Sequence, residues 1–101
     1  VDLTERRSGV RPDDLAVAAD VLGALEGVDL VGLMTIPPPT DTAEGARPWF
    51  RRLRDLRDAL GENHPGVLEL SMGMSLDYRV AVEEGATMVR IGTALFGPRT
   101  S

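Results

Sequence analysis

The chain contains no cysteine and no lysine. Without cysteine there is no disulfide framework and no thiolate to act as nucleophile or metal ligand. Without lysine, all 11 basic residues are arginine, and no side-chain amine can form a Schiff base. A basic surface is also missing. The formal net charge of -5 and pI of about 4.7 argue against a general binder of nucleic acid or anionic membrane. No apolar run is long enough to span a bilayer and no signal peptide opens the chain, which gives a cytoplasmic expectation. The single histidine stands in Glu62-Asn63-His64-Pro65-Gly66, with no partner at metal-ligand or triad spacing, and is expected to be an exposed turn residue.

Length sets a second bound. The chain has 101 residues, enough for one small domain. A complete (β/α)₈ barrel needs roughly 250 residues, so any barrel reading makes this chain a piece of one. It opens on Val1, as a trimmed piece would.

Strands and helices alternate along the chain. Residues 1–10 read as a strand end and a charged loop. Pro12, followed by Asp13 and Asp14, marks a helix start, and Leu15, Ala18, Leu22 and Leu25 recur at helical spacing before Gly27. This predicts a helix over 12–26. Val28 to Ile36 is apolar and β-branched and predicts a buried strand, stopped by Pro37, Pro38 and Pro39. Asp41 and Glu44 form a possible capping box, with the regular helix starting near Pro48. Phe50, Leu53, Leu56 and Leu60 form its apolar stripe, flanked by Trp49, and its Arg and Asp residues read as a solvated face with local pairs. A strand over 67–72, a helix over 75–84 and a strand over 87–91 follow, and Gly92 to Gly97 turns away. The order α-β-α-β-α-β implies a parallel sheet with right-handed crossovers. Two architectures fit: a section of a (β/α)₈ barrel, or an open doubly wound sheet.

In a parallel sheet every strand-to-helix loop lies on one edge. Three such loops are visible: Thr35 to Pro38, Ser71 to Ser75, and Arg90 to Thr93. The last two combine glycine with a hydroxyl residue. Glycine lets the backbone approach an anion, first-turn N–H groups lack intrahelical partners, and Ser75 and Thr93 can donate hydroxyl hydrogen bonds. The loops after the last strands of a (β/α)₈ barrel form a recurrent phosphate site. The competing readings are plainer: Ser75 as the N-cap of its helix with Gly73 serving the turn, Arg90 as a surface ion-pair partner, Tyr78 as a half-buried helix residue, and Met34, Met72, Met74 and Met88 as packing.

Ser71-Met72-Gly73-Met74-Ser75, with Glu84-Gly85-Ala86-Thr87-Met88-Val89-Arg90-Ile91-Gly92-Thr93-Ala94-Leu95-Phe96-Gly97, strongly resembles the C-terminal signature of the pyridoxal-phosphate homeostasis protein family. Gly32-Leu33-Met34-Thr35-Ile36-Pro37 resembles that family's preceding strand. The resemblance implies an α/β fold in which residues 1–101 form the C-terminal section of an alanine-racemase-like (β/α)₈ barrel domain. The strands would be its sixth, seventh and eighth, with residues 1–4 at the end of the fifth. It implies pyridoxal 5′-phosphate as cofactor, with Ser75, Gly92 and Thr93 on the phosphate and Arg90 on the pyridine nitrogen. It implies a cofactor carrier or buffer with no established turnover, and the missing N-terminal half of the barrel as partner. That half carries the lysine that holds the cofactor in the family. Asp2 departs from the family's usual asparagine, and no role is carried onto residues 1–9. Two rival readings are a fragment of an alanine-racemase-like enzyme and a structural piece with no ligand. Two open sheet edges also lead to an expectation of self-association.

Overall fold

The structure is a computed structural model, and it describes residues 1–4 and 9–92. Pro12–Asp14 forms a short 3-10 turn that leads into α1, Leu15–Gly23. The helix is shorter than its sequence pattern. Ala24 and Leu25 donate back only three residues, to Val21 and Leu22, and Gly27 reverses the chain at φ 79°. Leu15 and Ala19 are buried, whereas Leu22 and Leu25 are exposed, so only the first half of the expected stripe meets the core.

The parallel sheet is present, but its strands are short. β1, Gly32–Met34, pairs in parallel with β2, Glu69–Ser71, in the register Gly32↔Glu69, Leu33↔Leu70 and Met34↔Ser71. Beyond β2 the expected strand over 87–91 is reduced to one parallel bridge, Ser71↔Met88. The Thr87 hydroxyl takes the Leu70 N–H at 2.8 Å, while the Leu70 carbonyl accepts both the Thr87 and Met88 N–H groups. A side chain thus replaces a ladder bond, which interrupts the regular strand. Hydrogen bonding still continues along this line, from Met72 N–H to the Met88 carbonyl and from Arg90 N–H to the Gly73 carbonyl.

Residues 1–4 lie on the other side of β1, where the Thr35 hydroxyl donates to the Val1 carbonyl. Across the sheet the order is therefore the 1–4 segment, β1, β2 and the 87–90 segment. Sequential neighbours of this kind occur in a barrel wall and within one half of a doubly wound sheet alike.

α2, Arg47–Leu60, packs on one face of the sheet, after a 3-10 turn at Glu44–Ala46. The expected capping box does not form: the turn starts after Ala43 with no side-chain cap, and the nearby Thr42 hydroxyl accepts from Gly45 N–H at 3.2 Å. Phe50, Leu53 and Leu60 meet Leu33, Val67, Leu70 and Met72 in the core, with Leu56 at its margin. Four of these, Phe50, Leu53, Leu70 and Met72, are the largest fully buried side chains. Each such burial contributes about 1.5–3 kcal/mol. α3, Tyr78–Glu83, closes the end of this layer with Val80 and Ala81.

The arginines of α2 depart from the expected solvated face. Arg57–Asp58 and Arg54–Asp55 are local pairs, but Arg47, Arg51 and Arg54 all reach Glu84, at 2.6, 2.9 and 3.2 Å. Glu84 is buried at the end of α3, and hydrogen bonding to Arg47, then Arg51, holds its carboxyl below the ordinary glutamate value against the opposing effect of burial. This cluster ties α2 to the chain just ahead of the 87–90 segment.

Candidate functional site

The loops that follow β1, β2 and the 87–90 segment share one edge of the sheet. Gly73 makes their close approach possible. Its φ is 104°, and a Cβ there would stand 2.7 Å from Ala81 Cβ and 3.3 Å from Val89 Cγ1. A side chain at this point would push α3 and the 87–90 segment apart.

Ser75 is half-buried in the turn that precedes α3. The capping position of α3 belongs to Asp77, so the plain N-cap reading of Ser75 does not hold. Asp77 is buried and its Oδ1 accepts from Met74 N–H at 2.8 Å, which fixes the turn. α3 has six residues, so its dipole is small, and anion binding here would rest on the turn's backbone and hydroxyl groups.

Arg90 crosses the edge. Its backbone N–H donates to the Gly73 carbonyl at 2.9 Å, and its Nη2 donates to the Thr35 carbonyl at 3.3 Å, beyond β1. Among the described residues it forms no ion pair, which removes the surface-pair reading. Its Nε is buried without a hydrogen-bond partner. An unsatisfied buried donor is costly and calls for an acceptor. An unprotonated ring nitrogen fits that requirement. Gly92 follows as an exposed residue in a bend, with open space where a Cβ would lie. Thr93, and with it most of the expected turn to Gly97, lies outside the described residues. The structure thus brings Gly73, Arg90 and the β1 end together, sets Ser75 in the adjoining turn, and leaves Gly92 at the margin.

Three features escaped the sequence. Thr35 is buried and takes part in hydrogen bonds on both sides and through its carbonyl; its small β-branched side chain before a proline run gave no sign of this. His64 is not a free turn residue, because its Nε2 lies 2.8 Å from Asp20 Oδ1 on α1, 44 positions away. It borders an open groove of about 440 Å³ with Val28, Val31, Asn63 and Val67. That groove lies at the strand N-termini, opposite the glycine and hydroxyl loops. The methionines also divide: Met72 is fully buried, while Met34 and Met88 flank Ser71 on the face away from α2 and are about half exposed. Tyr78 is half-buried, as expected. Among the described residues there is no cluster of potential metal ligands, and no helix is long and apolar enough to cross a membrane.

Comparison with known proteins agrees with this architecture. The chain is 51% identical over 96 residues to the pyridoxal phosphate homeostasis protein of Aquifex aeolicus, covering 94% of this chain and 42% of that protein. The protein of the same name from Pseudomonas aeruginosa is 47% identical over 93 residues, with 92% and 39% covered. The chain thus spans about two fifths of the length of these relatives. PipY of Synechococcus elongatus, solved with PLP bound, superposes with a TM-score of 0.86 at 40% identity, over 96% of this chain and 46% of PipY. PipY without PLP gives 0.83 at 38% identity. The family model for the alanine racemase N-terminal domain matches residues 1–100. The expectation of a C-terminal section is corrected to that extent, since the match assigns the chain to the N-terminal domain of the racemase architecture. With its parallel α/β sheet and this match over nearly its whole length, the chain belongs to the alanine racemase N-terminal domain family.

Proposed function

We propose that this chain is the part of a pyridoxal 5′-phosphate-binding barrel that receives the cofactor's phosphate and ring nitrogen, and that it serves cofactor carriage and buffering. The observation that carries this reading is Arg90, held across the sheet edge with a buried Nε that lacks a partner. The relatives' name and the PLP bound to PipY support it. Within the racemase-like N-terminal domain, we place β1, β2 and the 87–90 segment as the sixth, seventh and eighth strands, on the strength of the sequence signature. Residues 1–101 are then one section of a single barrel domain.

Ser75, Gly92 and Thr93 would hold the phosphate, and Arg90 would donate to the ring nitrogen. Pyridoxal phosphate supplies an electron-withdrawing ring and a reactive aldehyde when bound. Guanidinium donates hydrogen bonds and does not lose its proton in a protein, so the nitrogen facing Arg90 is kept unprotonated. That weakens the ring as an electron sink and favours holding the cofactor over turning substrate over. The second reading, a fragment of a racemase-like enzyme, is favoured by the family model. It requires a lysine and a further acid–base group that this chain does not contribute.

The test is the affinity of the Ser75→Ala and Thr93→Val variants for pyridoxal phosphate. A hydrogen bond to a charged group is worth about 1.5–3 kcal/mol, which corresponds to roughly tenfold to hundredfold weaker binding for each variant. Unchanged affinity in both, with unchanged circular dichroism, contradicts the phosphate assignment.

A further inference from the structure

We infer that Thr35 is a positioning residue for Arg90, orienting the guanidinium so that its Nε faces the ring-nitrogen position. This rests on the cofactor reading given above. Thr35 is 2% exposed and follows β1, at the point where the chain leaves the sheet for Ile36 and the three prolines. Its N–H donates to the Ser71 carbonyl at 3.2 Å, and its hydroxyl donates to the Val1 carbonyl at 2.9 Å. The residue is thereby tied to the neighbouring strand on each side. Its own carbonyl accepts from Arg90 Nη2 at 3.3 Å. Ile36 precedes Pro37 and is confined to extended conformations, so the chain cannot turn back over that carbonyl.

The consequence for Arg90 is geometric. A guanidinium is planar, and its donors point in fixed directions. With the backbone of Arg90 held on Gly73 and Nη2 held on Thr35, rotation about the side chain is limited and Nε is set in place. Nε is the donor left buried without a partner. A pyridine nitrogen accepts from it, whereas a ring C–H does not. Thr35 therefore governs discrimination for a ring nitrogen, while the phosphate contacts lie elsewhere on the edge.

The probes are pyridoxine 5′-phosphate, which has no aldehyde, and its carbocyclic analogue with C–H in place of the ring nitrogen. Affinities are measured by calorimetry for the wild-type chain, Thr35→Val and Thr35→Ser. The wild type is expected to prefer the nitrogen-containing ligand by about tenfold or more. Thr35→Val keeps the branched shape but loses the hydroxyl, and its preference should fall to near unity with affinity for the analogue retained. Thr35→Ser keeps the hydroxyl and should restore the preference. If Thr35→Val weakens both ligands equally, or keeps the wild-type preference, the Thr35 hydroxyl does not hold the carbonyl that positions Arg90, and the inference is overturned while the cofactor reading stands. If the wild type itself shows no preference, the assignment of Arg90 to the ring nitrogen fails, and the inference fails with it.

Discussion

Arg90, Thr35 and Glu84 show how much a single side chain decides in this molecule. The role proposed for Arg90 came only through the family signature; by itself an arginine near a strand end reads as a surface ion pair. Thr35 and Glu84 were not readable, because their importance comes from partners 34 and 30 or more positions away. Glu84 leads to a pH prediction. Its folded carboxyl is held below the ordinary 4.5, chiefly by Arg47, so it binds a proton less readily folded than unfolded. Its stabilising contribution is present above the unfolded value and is lost as pH falls through the depressed one. Thermal unfolding of the wild type should therefore lose more stability on acidification below about pH 4.5 than that of Glu84→Gln, which cannot titrate. Equal acid sensitivity in the two would show that the three arginines do not set the charge state of Glu84. The absence of lysine gives a second prediction at this scale. After incubation with pyridoxal phosphate and borohydride reduction, mass spectrometry should find no cofactor adduct on an internal side chain. Labelling of the N-terminal amine does not bear on it.

The three helices and the first two strands were legible in order and type but not in length, and the third expected strand survives only as a bridge. The α2 stripe was accurate, because Phe50, Leu53 and Leu60 face the sheet along one continuous contact. The α1 stripe failed at Leu22 and Leu25, which stay exposed where the helix ends early. The strands were overestimated because apolar β-branched runs record burial, whereas a ladder needs matched backbone partners on a neighbour. The Thr87 hydroxyl, which displaces one such partner, has no sequence signature. Two substitutions test how these elements hold the edge together. Phe50 is fully buried between α2 and the sheet, and Phe50→Ala should cost about 3–5 kcal/mol in denaturant unfolding, a large share of a domain's usual total. Gly32 faces the Glu69 carbonyl so closely that a Cβ would collide with it. Gly32→Ala should separate β1 from β2 at a cost of about 1–3 kcal/mol. A neutral Gly32→Ala would contradict the observed register.

At the scale of the whole molecule, the described chain is a four-position wall, parallel from β1 through β2 to the 87–90 segment, with α2 packed on one face. Its Cα radius of gyration is 14.4 Å, against about 13 Å for a compact chain of this length. Met34 and Met88 are exposed on the face away from α2, and among the described residues the sheet ends at the 1–4 and 87–90 segments. Sedimentation velocity should show concentration-dependent self-association, relieved by a polypeptide that supplies the remaining barrel strands. A monodisperse monomer with a cooperative melt would show that the wall is stable alone. The wall also offers the shortest route to the central claim, that this chain carries the phosphate and ring-nitrogen contacts of a pyridoxal phosphate site. That claim is tested most directly by calorimetric titration of the chain with pyridoxal phosphate, repeated with Arg90→Leu and in the presence of inorganic phosphate. Saturable binding is expected, competed by phosphate and weakened by Arg90→Leu. Absence of saturable binding, or binding indifferent to both phosphate and Arg90, would contradict the claim.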